Sequence, residues 1–234
     1  KFKTEESKTN LFSVNINNPF GLAAGFDKNG ELVDSVLDYG FGYVEVGSVT
    51  YEGGKGNEKP RLFRLHKEQG LLNRLGLNGD PAEVVAEKLK KVKSKAFGVN
   101  IAKTHSPDIL GDRAIRDFIG SYQLLKTLGI YTVINISCPN TREGRTFEDP
   151  SSLKELLSAI SEAARVKPLL LKLSPYLAKT NDRLTKLVSI AEENHIDGYV
   201  CGNTLPYSHP VYGPGGLSGK LLREPALTLM QRVR

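Results

Sequence analysis

Short runs of almost wholly apolar residues recur along the chain at Phe20–Gly25, Tyr43–Gly47, Phe97–Ile101, Thr132–Ile136, Leu169–Leu173 and Gly198–Gly202. Runs of this length without alternation predict strands covered on both faces. Helical spacing fills the intervals. Asp80-Pro81 reads as an N-cap and first-turn pair, followed by Val85, Leu89 and Val92 on one face. Ser152-Leu153-Lys154-Glu155 reads as a capping box, with Leu153, Leu156, Leu157 and Ile160 forming a stripe. Leu184, Leu187, Val188 and Ala191 form another, ended by Asp197-Gly198, and a last helix spans roughly Glu224 to Arg234. Strand and helix in alternation predict an α/β fold around a parallel sheet.

Polar residues at the ends of the runs choose between two such folds. Asn100, Asn135, Lys172 and Asn203 each fall at or near the end of a different run, and Lys28 follows the first by three residues. A barrel gathers the carboxyl ends of all its strands around one mouth. A doubly wound sheet spreads them along an edge and uses mainly its switch point. No Gly-x-Gly-x-x-Gly follows the first run, which also disfavours a dinucleotide fold. The expectation is a (β/α)8 TIM-type barrel in one domain, residues 1–234. Six strand–helix units are visible, so the last two are expected to be missing from this chain. The chain begins at Lys1 and its single methionine is Met230, which suggests a processed or incomplete polypeptide at the N-terminus as well.

Composition changes this picture little. Hydrophobic residues make up 39% and charged residues 25% of the 234, a globular balance. The run Pro168–Leu171 is broken by Lys172 long before membrane-spanning length, and no signal peptide is visible. A net charge of +6 favours anionic partners, among them a phosphorylated cofactor, a carboxylate substrate, nucleic acid or an acidic membrane surface. The densest basic run, Lys90 to Lys95, sits at a predicted helix end, where cations complement the dipole. Two cysteines argue against a disulfide framework and suit a reducing compartment. His66, His105, His195 and His209 lack metal-ligand spacing and read as loop or helix-end residues, and no metal is expected. Gly53–Asn57 lacks the spacing of a phosphate loop and reads as a flexible surface turn.

Amides and lysines inside apolar strands need a reason. Burying an unpaired amide costs a few kcal/mol, and a buried lysine must find a partner or lose its proton. Any one of them fits a satisfied core hydrogen bond. Five at strand ends make a donor-rich, cationic mouth suited to a flat, anionic, carbonyl-bearing ligand. Cys138 lies in the same layer, just past its strand and before the turn-fixing Pro139-Asn140. A thiol of ordinary pKa about 8.5 serves as a base near neutrality when that value is modestly lowered. Cys201, inside a run, reads as packing.

Seven segments then occur in a telling order: Leu22–Glu31, Pro60–Leu65, Asn73–Gly76, Gly98–Asn100, Asn135–Asn140, Asn203-Thr204 and Gly215–Lys220. Together they resemble the dihydroorotate dehydrogenase family over almost the whole chain. The resemblance implies a barrel that holds FMN at its mouth and oxidises dihydroorotate to orotate in pyrimidine synthesis. It places Ala23, Ala24, Gly25, Ser48, Ser218 and Gly219 along the flavin, with Asn100 and Asn135 bonding its ring. Lys172 falls near the pyrimidine edge that becomes negative on reduction. Lys28, Asn73, Asn135, Asn140, Asn203 and Thr204 match substrate-binding positions, with Lys28 facing the carboxylate. Cys138 matches the base that removes the C5 proton while C6 delivers hydride to FMN, a position held by serine or cysteine in different members.

The first two signatures resemble the membrane-associated, quinone-reducing class, so quinone is the expected acceptor and a peripheral inner-membrane location follows. That class usually has serine as its base, whereas cysteine is typical of the soluble classes, for which a cytoplasmic location would hold. Leu77 stands where the quinone class often has phenylalanine. Its membrane-contacting N-terminal extension is not evident before Asn18-Pro19, and its phosphate-gripping Gly-Gly turn would follow Arg234. Arg142–Arg145, with glycine and charge just beyond the base, reads as a mobile lid. Two alternatives stay open: another FMN barrel reducing pyrimidines, free or in tRNA, and a non-enzymatic barrel fragment. The motifs favour a free substrate over nucleic acid.

Overall fold

A computed structural model describes residues 8–137 and 146–234. An antiparallel hairpin, β1 (Thr9–Leu11) and β2 (Val14–Ile16), comes first. Then follow β3 (Gly21–Leu22), α1 (Val33–Asp38) and β4 (Tyr43–Val49). A second hairpin, β5 (Leu62–Leu65) and β6 (Gly70–Asn73), precedes α2 (Ala82–Leu89). The alternation continues with β7 (Phe97–Ile101), α3 (Asp112–Leu125), β8 (Thr132–Asn135), α4 (Pro150–Glu162), β9 (Leu169–Leu173), α5 (Asn181–Glu193) and β10 (Gly198–Cys201). A third hairpin, β11 (Leu205–His209) and β12 (Gly213–Gly219), leads into α6 (Arg223–Val233).

The main sheet has six strands in the order β10-β9-β8-β7-β4-β3, every pair parallel. Each successive strand is added on the same side, with no reversal. A doubly wound sheet would reverse at its switch point, so this is a partial (β/α) barrel, as the strand-end amides predict.

Alternation along the strands separates two environments. Val44, Val46, Val99, Ile101, Ile134, Leu169, Leu171 and Leu173 face the helices and build the large outer core with Phe118, Leu156, Leu157 and Leu187. Each such fully buried side chain stabilises the fold by about 1.5–3 kcal/mol. The opposite parity carries Tyr43, Val133, Leu170 and Val200, which pack with Tyr131 into an inner cluster. One step further along the strands, the same face carries Glu45, Asn100, Asn135 and Lys172. The inner face is therefore apolar toward the amino ends of the strands and polar toward their carboxyl ends.

A second, antiparallel sheet in the order β11-β12-β6-β5 comes from the two longer hairpins. One face buries Leu65, Leu72 and Leu217 with Phe63 and Tyr207 against them. The other presents Leu62, Leu71, Asn73 and Ser218 to the barrel mouth.

Five local expectations shift. Only Gly21 and Leu22 of the first run pair as a strand, because the chain turns away at Gly25, whose φ is +114°. Helix α2 begins one residue late, with Pro81 at the N-cap and Asp80 instead accepting from Lys88 Nζ at 2.7 Å. Helix α4 begins early: Pro150 opens it, and the Asp149 carboxylate caps it by accepting from the Ser152 N–H at 3.1 Å. The Gly53–Asn57 turn is held down rather than loose. Gly54 exchanges backbone hydrogen bonds with Gly79, and Asn57 bonds the Leu75 and Arg74 carbonyls. His209 ends strand β11, and its Nδ1 accepts from the Val211 and Tyr212 N–H groups.

Candidate active site

The segment after β3 forms one wall of the site, and a single carboxylate shapes it. Asp27, buried, accepts from the Gly30 and Glu31 N–H groups through Oδ1 at 2.9 and 3.0 Å, and from Leu32 N–H through Oδ2 at 2.9 Å. The Asp27 carbonyl takes the Gly47 N–H at 2.9 Å, and Gly25 N–H reaches the Gly47 carbonyl at 2.7 Å. The loop is thereby stitched to the end of β4, beside Ser48. Gly47 needs its missing side chain, since φ is +116° and a Cβ would lie 2.4 Å from the Asn100 carbonyl oxygen.

A cleft of about 400 Å³ opens at the carboxyl ends of the parallel strands. Ala23, Ala24, Gly25 and Lys28 reach it from that loop, Ser48 from β4, Asn135 from β8, Lys172 from β9, and Asn203 and Thr204 from just beyond β10. Asn73 and Ser218 enter from the antiparallel sheet. Phe26, Leu62, Leu71, Leu75 and Leu77 supply apolar lining. Leu77 holds φ +52°, a left-handed conformation that costs a leucine about 1–3 kcal/mol.

One hydrogen-bonded network runs beneath and across the cleft. Ser48 Oγ donates to Asn100 Oδ1 at 2.5 Å, and Asn135 Nδ2 donates to Ser48 Oγ at 2.9 Å. Asn135 Oδ1 accepts from Ser137 N–H and Oγ at 3.2 and 3.1 Å. Asn203 Nδ2 reaches the Ser137 carbonyl and Oγ at 2.9 and 2.8 Å, while its Oδ1 takes the Thr204 N–H at 2.9 Å. Side chains from four parallel strands and their following loops are thus fixed in one network, which pre-orients those at the cleft for a ligand.

Ala23, Ala24, Gly25, Lys28, Ser48, Asn73, Asn135, Lys172, Asn203, Thr204 and Ser218 all meet at the cleft. Asn100 does not line it; fully buried, it sits one layer below and holds Ser48. Gly219 is also not among the lining residues, lying at the end of β12 against the Gln69 carbonyl. Cys138, Asn140 and the Arg142–Arg145 segment lie outside the described residues. Cys201 faces the outer core, where burial pushes its thiol up from the ordinary range, in keeping with a packing role.

The residue that sequence reasoning missed is Glu45. It is 5% exposed, and its Oε1 lies 3.8 Å from Lys172 Nζ and accepts from Asn100 Nδ2 at 2.8 Å. A signal existed: a carboxylate in the middle of the apolar run Tyr43–Gly47 is as anomalous as a lysine in the run Leu169–Leu173, and each explains the other.

Fold and site together define a (β/α)-barrel protein with a ligand cleft where such barrels carry their chemistry, at the carboxyl ends of the strands. A family model described as dihydroorotate dehydrogenase matches residues 6–234, and the chain belongs to that family. It is 35% identical to a dihydroorotate dehydrogenase (quinone) of Arthrobacter sp. (strain FB24), over 97% of this chain and 69% of that protein. It is 39% identical to one of Corynebacterium diphtheriae, over 95% of this chain and 63% of that protein. Among solved structures, the dihydroorotate dehydrogenase of Eimeria tenella in complex with ferulenol superposes with a TM-score of 0.87 at 28% identity, covering 97% of this chain and 69% of that one.

Proposed function

We propose that the cleft oxidises dihydroorotate to orotate in pyrimidine synthesis, with FMN as the resident hydride acceptor and a quinone as the final electron acceptor. The observation that supports this most is the convergence of Lys28, Asn73, Asn135, Asn203 and Thr204 with Lys172 on one cleft, from separate elements. Membership of the family favours this reading over another pyrimidine-reducing barrel or a non-enzymatic fragment.

The residues present suit a flavin ring. A Cβ built on Gly25 meets nothing within 4 Å, so its backbone borders open cleft space, and Ala23 and Ala24 beside it are small. Ala23, Ala24, Gly25 and Ser48 would hold the ring with Asn135 and Ser218. FMN, when bound, supplies the hydride acceptor. Lys172, 6% exposed at the cleft, would offer a preorganised cation to negative charge on the reduced ring, which needs no reorganisation at the moment of reaction.

On the substrate side, the amides of Asn73, Asn135, Asn140 and Asn203 match the donors and acceptors of a urea-like ring. Lys28 offers charge to the carboxylate, and Thr204 lies beside Asn203. Cys138 follows the ordered strand end at Asn135–Ser137, and its thiolate takes the C5 proton. Phe26 and Leu62, 66% and 55% exposed at the cleft, offer apolar surface to a lipophilic acceptor. Peripheral attachment to an inner membrane goes with that acceptor; among the described residues no helix is long and apolar enough to cross a membrane.

A steady-state assay with a short-chain quinone checks the whole cycle. Orotate should form in step with quinol, and Asn203→Ala should slow it by at least tenfold. Orotate production with other acceptors but none with quinone would refute the acceptor, and none with any acceptor would refute the function.

A further inference from the structure

We propose that Glu45 is a positioning residue for the cation of the cleft: its buried carboxylate fixes the place of the Lys172 ammonium and sets how much positive charge the cleft presents to an anionic ring. This rests on the flavin reading above and concerns a residue outside the cleft lining.

The geometry separates Glu45 from a simple ion-pair partner. A carboxylate bonded directly to an ammonium sits about 2.7–2.9 Å away. Here the Oε1–Nζ distance is 3.8 Å, and both side chains are less than 10% exposed. The good hydrogen bonds of the carboxylate go elsewhere: Oε1 accepts from Asn100 Nδ2 at 2.8 Å, and Oε2 from the Tyr131 hydroxyl at 3.3 Å. Lys172 therefore experiences the negative charge while its N–H donors stay available to acceptors in the cleft. Both side chains are largely buried, so their charges are screened less than those of an exposed pair.

The surrounding sequence builds this seat. Gly98 is the register partner of Glu45 on β7, and a Cβ there would lie 2.2 Å from the Tyr131 ring. On the other side Gly21 pairs with Tyr43, and a Cβ would lie 2.1 Å from that ring. Both glycines make room for an aromatic ring beside the carboxylate. Burial, then the Glu45 charge, pushes the ionisation of both phenols upward.

Glu45 also links two layers of the site. Through Asn100 it connects to Ser48, and through Ser48 to Asn135. Loss of its charge with its shape retained should leave these bonds in place and make the cleft more cationic. Reduced, anionic flavin would then be favoured, and its reoxidation slowed.

The test is the midpoint potential of the flavin in the reconstituted chain for wild type, Glu45→Gln, Glu45→Asp and Tyr131→Phe. Glu45→Gln should shift the equilibrium at least tenfold toward reduced flavin, about 30 mV upward for a two-electron couple. Glu45→Asp, which keeps the charge, should stay closer to wild type. Tyr131→Phe removes a hydrogen bond without changing charge and should move the potential least. A Glu45→Gln potential equal to that of Tyr131→Phe, or below wild type, would overturn the proposal. A wild-type chain that takes up no FMN would instead sink the functional reading. In that flavin-free protein Glu45 is still tested by orotate binding at low salt: Glu45→Gln leaves a more cationic cleft and must tighten it, and an unchanged dissociation constant overturns the charge role.

Discussion

Replacing Asp27 by alanine tests how the loop that carries Lys28 is held. The carboxylate accepts three backbone N–H groups, at 2.9, 3.0 and 2.9 Å, from a position 2% exposed. Hydrogen bonds to a charged group contribute about 1.5–3 kcal/mol each. The Gly30 bond is buried, but those of Glu31 and Leu32 are only part-buried, so water can replace some of what is lost. A loss of about 3–5 kcal/mol is therefore expected, within the roughly 5–15 kcal/mol that a domain has in total. Asp27→Asn makes a graded control. Its amide oxygen can still accept the two bonds that Oδ1 accepts, but its NH2 faces the Leu32 N–H, giving a loss of about 1–2 kcal/mol. Urea unfolding followed by circular dichroism would measure both, with unchanged m-values reporting unchanged compactness. Orotate binding should weaken in the same order, because the loop places Lys28 in the cleft. An alanine variant less than about 1 kcal/mol below wild type would refute the stitched-loop account.

Other outcomes follow from the same structure. Cys138→Ala should slow flavin reduction by dihydroorotate by orders of magnitude while orotate still binds, and Cys138→Ser should keep some activity with its pH optimum moved upward; stopped-flow reduction across pH decides both. Leu72→Ala empties a fully buried site in the small sheet that carries Asn73 and Ser218, and should cost about 2–5 kcal/mol in urea unfolding. Burial chiefly raises the Asp117 carboxyl above the ordinary carboxylate range, with hydrogen bonds from Thr104 opposing. A raised folded-state value contributes stability that is full below the unfolded pKa and is lost as pH rises through the folded one. Wild type should therefore lose stability relative to Asp117→Asn from about pH 4 upward, and parallel urea midpoints across pH would contradict this.

The barrel was legible because its strands are buried on both faces, so each reads as an unbroken apolar run, and any polar residue at its end stands out. That position at the run ends placed Asn135 and Lys172 at one barrel mouth. Partners across strands were not legible: the bond from Ser48 to Asn100 joins residues 52 apart, and chain order carries no distance. The antiparallel sheet escaped notice for a similar reason. Strand β12 contains four glycines in seven residues and has little propensity of its own; pairing with β6, some 145 residues earlier, makes it a strand. Helix starts slipped by a residue or two where Asp-Pro pairs and serines competed for the cap, as at Asp149-Pro150. Glu45 was legible in principle, since a buried lysine needs a counter-charge and one carboxylate sat in a neighbouring apolar run.

The central claim is chemical, and one anaerobic experiment meets it directly. The chain reconstituted with FMN is mixed with one equivalent of dihydroorotate, and the visible flavin band is followed while orotate is quantified. Bleaching of the flavin with stoichiometric appearance of orotate is the predicted result. A flavin that stays oxidised, or bleaches without orotate, would contradict the account.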